Sequence, residues 1–71
     1  MKFYMIFHIP SGGFYKTIGT TFDELIFSGV TQGKRLTRQG VSTTMESILA
    51  NEKNGVDQED LEIYEFIGTK I

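Results

Sequence analysis

The octapeptide KFYMIFHI at residues 2–9 sets Phe3, Met5, Phe7 and Ile9 on one side of an extended chain and Lys2, Tyr4, Ile6 and His8 on the other. Even the second set is half apolar. A strand with apolar residues on both sides is expected at a central place in a sheet. PSGG at 10–13 follows at once, a proline and two glycines suited to a tight turn. FYKTIGT then reads as the returning strand of a hairpin, with Phe14 and Ile18 on one face and Tyr15 and Thr17 on the other.

The rest of the chain must cover that hairpin. In TFDELIFSG, Thr21 and Glu24 have capping-box spacing while Phe22, Leu25 and Ile26 share a helical face, so a helical turn at 22–28 is expected. A third strand through ELIFS is the alternative. GVSTTMESILANEKNG is the clearest helix: Val41, Met45, Ile48 and Leu49 fall at i, i+4, i+7 and i+8. Ser42 or Thr43 is the expected cap, Glu46 completes a box with Thr43, Gly55 ends the helix, and Met45 and Leu49 are expected in the core. LEIYEFI at 61–67 is a closing strand, with Leu61, Ile63 and Ile67 opposite Tyr64 and Phe66. The expected fold is α+β, one domain over 1–71. A small three- or four-stranded, mainly antiparallel sheet carries one helix, about 42–53, on one face.

Seventy-one residues allow a single small core, and such a chain buries only about 60% of its unfolded surface. With no cysteine, no disulfide or thiolate metal site staples it, so a homo-oligomer, a dimer first of all, is expected. No run reaches the roughly 18 apolar residues of a membrane span, and the N-terminus lacks the pattern of a signal peptide. The expectation is a cytoplasmic chain with no membrane partner.

Charge is divided unevenly. Residues 1–45 hold Lys2, Lys16, Lys34, Arg35 and Arg38 against Asp23 and Glu24, whereas 46–71 hold two lysines against seven carboxylates. The segment GKRLTRQG at 33–40 concentrates three of the seven basic residues. It is not a Walker loop, since Gly29 precedes Gly33 by four positions and Lys34 is followed by Arg35 instead of Ser or Thr. Two roles remain. Lys34, Arg38 and Ser42 could converge on an anion at the helix N-terminus, or the segment is a solvated ramp into the helix. RNA or nucleotide capture would also use exposed aromatics, with Tyr4, Tyr15 and Tyr64 as candidate platforms, although a pI near 5.2 is far from the basic footprint of such domains.

Catalysis finds little support. His8 is the single histidine, so neither a His/Cys metal site nor a Cys-His pair can be assembled. Ser11, His8 and Glu24 could be drawn as a Ser-His-acid set, but a structural His8 bonded to the turn backbone is the expected role. DQEDLE lacks the glycine and terminal glutamate of an EF-hand loop and reads as a solvated acidic loop. No enzyme activity, cofactor or metal is expected.

IFHIPSGGFYK, GKRLTRQGVSTTMESIL and DLEIYEF, in this order, resemble a loose group of small accessory proteins of tailed bacteriophages. The positions carrying the resemblance are His8, Pro10, Ser11, Gly12, Gly33, Lys34, Gly40, Leu49, Ile63 and Phe66. Val30, Thr31 and Gln32 stand where that group has an aromatic residue. The resemblance implies a viral protein that acts by binding, with no catalytic residue to carry over. The expected function is occlusion of a host or anti-phage defence protein through a patch around Tyr15, Lys34, Arg35 and Arg38. An oligomeric binder of an anionic nucleotide or RNA, and a small structural or virion-associated domain, are the alternatives.

Overall fold

A computed structural model describes residues 2–18, 25–50 and 55–67. In chain order the elements are β1 (Lys2–His8), β2 (Gly13–Ile18), β3 (Leu25–Ser28), α1 (Arg38–Ala50), a 3-10 turn (Gln58–Asp60) and β4 (Leu61–Ile67). The four strands form one antiparallel sheet in the order β3-β2-β1-β4. The fold is α+β, and β1 is an inner strand as its two apolar faces require. Met5 is 1% exposed and its neighbour Ile6 is fully buried, on opposite sides of the sheet.

The turn after β1 is built from PSGG. Gly12 adopts a φ of 70° and donates its amide to His8 O at 2.9 Å, a left-handed conformation that glycine reaches without a Cβ penalty. Ser11 Oγ accepts the Gly13 amide at 3.2 Å. Phe14 and Tyr15 then leave on opposite faces. Beyond them β2 and β3 slip out of register between Tyr15 and Thr17, a bulge that the plain alternation of FYKTI did not foretell.

Leu25–Ser28 is a strand, not the helical turn expected at 22–28. Pairing with β2 satisfies the backbone of LIFS directly, whereas an isolated helical segment this short is marginal in water. Residues 22–24, and with them the Thr21 and Glu24 box, lie outside the described residues.

The helix begins at Arg38, four residues before the expected start, and is described to Ala50. Its N-cap is Thr37, whose Oγ1 accepts the Gly40 amide at 3.0 Å and whose carbonyl accepts the Val41 amide at 2.8 Å. Thr43, the expected cap, sits within the helix and donates its hydroxyl to Gln39 O at 3.1 Å. The apolar stripe faces the sheet, with Val41 and Ile48 buried against Ile6, Tyr15 and Leu61. Met45 and Leu49 are half-buried at its flanks, packing on this core instead of forming it. No helix among the described residues is long and apolar enough to cross a membrane.

Candidate functional site

Two strands that diverge create the site. β1 and β2 pair at only two positions, Phe7 with Phe14 and His8 with Gly13, and then separate. The basic segment fills the gap. Lys34 N donates to Tyr15 O at 2.8 Å on the β2 side, while Leu36 and Tyr4 exchange both backbone hydrogen bonds at 2.8 Å on the β1 side. GKRL is thus a wedge completing the ladder between two strands, a placement that neither a solvated ramp nor an anion loop describes.

Gly33 sets the entry of this wedge. A Cβ there would collide with Met5 Cε and lie 2.9 Å from Phe14 Cβ, so only glycine lets the chain pass this close to the sheet. The approach is shaped by a turn in which Gln32 N and Gly33 N both donate to Gly29 O at 3.0 Å. Ser28 Oγ donates to Gln32 Oε1 at 3.1 Å and ties the turn to β3.

The wedge lies beside a cluster of aromatic rings on the sheet face opposite α1. Phe3 stacks on Phe66 at 5.1 Å, Phe7 meets Phe14 at 5.1 Å and Tyr64 at 5.3 Å, and Tyr64 meets Phe14 edge-on at 5.6 Å. These contacts follow from the registers, which set Phe3 opposite Phe66 and Phe7 opposite Phe14. Arg35 closes one side, its guanidinium 4.9 Å from the Phe3 ring centre, within cation–π range. None of the five rings is fully buried, and Tyr64 remains 39% exposed. The result is a broad aromatic surface bordered by a cation.

One acidic group tunes this surface. Glu62 hydrogen-bonds the Tyr64 hydroxyl and, with partial burial and its negative charge, raises the phenol above its ordinary value.

The residues singled out in the sequence do not converge. Tyr15 is 5% exposed within the core, where burial raises its phenol above the ordinary value, so it packs instead of presenting a contact. Arg35 lies on the aromatic face. Arg38 and Ser42, one helical turn apart, line a cleft of about 230 Å³ on the other face with Tyr4, Val41 and Ile63. That volume falls below the roughly 300 Å³ at which sites for drug-sized ligands begin. Lys34 does not line it, so the three-residue anion grip is not assembled. Tyr4 is half-buried there and donates its hydroxyl to Glu65 Oε2 at 3.2 Å.

His8 Nδ1 lies 2.8 Å from Ser11 Oγ, and its ring stacks on Phe27 with centres 4.2 Å apart. The partner is the Ser11 side chain, not the turn backbone. With Ser11 Oγ also accepting the Gly13 amide, the pair locks the hairpin turn. Glu24, the third member of the set drawn from sequence, lies outside the described residues. Among the described residues no three His, Cys, Asp or Glu side chains are grouped to hold a metal. The acidic loop folds on itself, with Asp60 N donating to Asp57 O at 2.9 Å and Asp57 N to Asp60 Oδ2 at 3.3 Å.

Sequence reading missed the aromatic face as a site. Its signal was present in the odd-numbered run Phe3, Met5, Phe7 and in Tyr64 and Phe66, but that alternation was read only for the place of the strands in the sheet. No family model matches the chain, and no curated protein or solved structure is detectably similar to it.

Proposed function

We propose that this chain is a non-enzymatic binding protein that captures an apolar segment of a protein partner on its aromatic sheet face and acts by occlusion. The observation that carries the reading is the cluster of Phe3, Phe7, Phe14, Tyr64 and Phe66 on the face turned away from α1. Contiguous apolar surface of this kind is characteristic of interaction sites, and aromatic residues with arginine dominate binding energy at protein interfaces. Arg35 at the border suits a partner carboxylate next to an apolar stretch. The resemblance to tailed-phage accessory proteins makes a host or anti-phage defence protein the expected partner.

A second reading is favoured by the Arg35–Phe3 stack: a platform on which nucleotide or single-stranded RNA bases stack beside a cation. The net charge of −2 and Glu62 at the surface weigh against a polyanion.

The test is capture from bacterial lysate by tagged protein, with and without nuclease, using wild type, Tyr64→Ser and Arg35→Glu. A stoichiometric protein that survives nuclease and is lost with either variant supports the protein-binding reading. Nucleic acid in the eluate, lost with the same variants, replaces it with the second. Equal capture by all three proteins places the binding surface elsewhere.

A further inference from the structure

We infer that β4 is the self-pairing edge of a two-fold homodimer, in which two copies join their sheets antiparallel with Tyr64 at the axis. The inference stands independently of what the aromatic face binds.

Strand β4 borders the sheet next to β1, and its side chains from Glu62 to Ile67 remain exposed or only partly buried. Ile67 is 70% and Ile63 49% exposed, large apolar groups on the α1 side that the helix does not cover. A seven-residue edge of this composition invites pairing with another strand, and charged side chains alone interrupt it at Glu62 and Glu65.

The direction of the backbone identifies which groups are offered. Ile9 N donates to Asp60 O at 2.8 Å, and β1 and β4 keep an unbroken register from Lys2 and Ile67 to His8 and Leu61. In such a ladder alternate residues turn both backbone groups to the neighbour, so Asp60, Glu62, Tyr64 and Phe66 face β1. Tyr4, which bonds Leu36 on its other side, obeys the same alternation. Ile63, Glu65 and Ile67 therefore aim N–H and C=O outward. Leu61 aims outward too, but its N–H is committed to Gln58 O.

Three outward donors remain, and a second copy accepts all three in one register. With Tyr64 opposite Tyr64 of the second copy, Ile63 N meets Glu65 O, Glu65 N meets Ile63 O, and Ile67 N meets Leu61 O, whose own N–H is not needed. Centring the pair on Ile63 runs Ile67 off the end of the partner strand. Centring it on Glu65 places two carboxylates directly opposite, which is destabilising. The Tyr64 register instead sets each glutamate against an apolar residue, Glu65 facing Ile63 and Glu62 facing Phe66. It also brings Ile67 onto Leu61 of the second copy, burying the most exposed large apolar residue among those described. The two aromatic faces become one continuous surface across the axis.

Edge pairing alone buries less than the roughly 1,200 Å² of a standard stable interface, so the dimer should be concentration-dependent. Sedimentation equilibrium from micromolar to millimolar protein tests it, with circular dichroism as the folding control. Wild type should move from 8.0 kDa to twice that mass. Glu65→Pro removes an outward N–H, along with the exposed carboxylate that accepts the Tyr4 hydroxyl, and Ile63→Asp sets a carboxylate against Glu65 of the second copy; both should remain folded and monomeric. Register is read by single cysteines in a chain that has none. Air oxidation should cross-link Tyr64→Cys, whose Cα atoms would lie about 4.5 Å apart. It should spare Glu62→Cys, displaced by four residues or about 13 Å from its own copy. A wild type that stays monomeric, a dimer that persists in folded Glu65→Pro and Ile63→Asp, or preferential cross-linking through Cys at 62 would each overturn the proposal. Loss of partner capture without loss of the dimer would instead bear on the proposed function alone.

Discussion

Tyr4 and Leu36 exchange both backbone hydrogen bonds, each 2.8 Å long, across the opening where β2 has separated from β1. This exchange makes the basic segment part of the sheet. It also explains why Arg35, between the bonded Leu36 and the bonded Lys34, is held over Phe3 instead of ranging freely in solvent.

The wedge depends on Gly33, because a methyl group there meets Met5 Cε and Phe14 Cβ, the latter at 2.9 Å. Met5 is 1% exposed and has little room to yield. Gly33→Ala should therefore destabilise by about 1–3 kcal/mol, the usual effect of overpacking, and lower Tm by several degrees. Thermal unfolding followed by circular dichroism measures this. An unchanged Tm would show that the wedge does not press on the sheet.

The helix start gives a comparison between two threonines. Thr37 Oγ1 accepts the Gly40 amide at 3.0 Å, whereas Thr43 Oγ1 donates to a carbonyl already within the helix. Thr37→Ala should cost about 0.5–2 kcal/mol, and Thr43→Ala should be neutral or mildly stabilising because alanine has the higher helix propensity. Urea denaturation of the two variants measures the difference. Equal losses, or a larger loss at Thr43, would move the cap back to the later position.

Ile48 is the fully buried residue of the helix and packs with Ile6, Val41 and Leu61. Ile48→Ala should cost about 2–5 kcal/mol, comparable to the whole stability of a domain this small. Leu49→Ala, at a half-buried position, should cost less. A chemical denaturation midpoint lowered more by Leu49→Ala than by Ile48→Ala would contradict the helix orientation.

Which of these features the sequence made legible follows from how local their causes are. The inner position of β1 was readable because Met5 and Ile6 are adjacent, alternating and both apolar, and the helix face was readable from the spacing of Val41, Met45 and Ile48. The helix start was not, since Thr37, Ser42 and Thr43 all have capping chemistry and the choice depends on where Leu36 is held by Tyr4. The wedge was illegible for the same reason: GKRL has no alternation of its own, and its path exists only because β1 and β2 diverge after two pairs. The aromatic face was half legible. Alternation grouped Phe3 with Phe7, but only the β1–β4 register brings Phe66 onto Phe3 and only the helix position leaves them half-buried on the other face.

Tyr15 supplies a prediction in the alkaline range. Burial raises its phenol above the ordinary value of 10.0, so the folded chain resists ionising it while the unfolded chain does not. A raised value in the folded state means that the stabilisation is complete below about pH 10 and is lost as pH climbs from the unfolded value through the folded one. Tyr64 is shifted in the same direction, chiefly by its hydrogen bond with Glu62, but it is exposed and should contribute little. Wild type should therefore lose stability steeply above pH 10, and Tyr15→Phe should flatten that loss while Tyr64→Phe leaves most of it. Urea midpoints between pH 8 and 11 for the three proteins decide the matter. A slope above pH 10 that survives Tyr15→Phe would assign the alkaline loss to groups other than the core tyrosine.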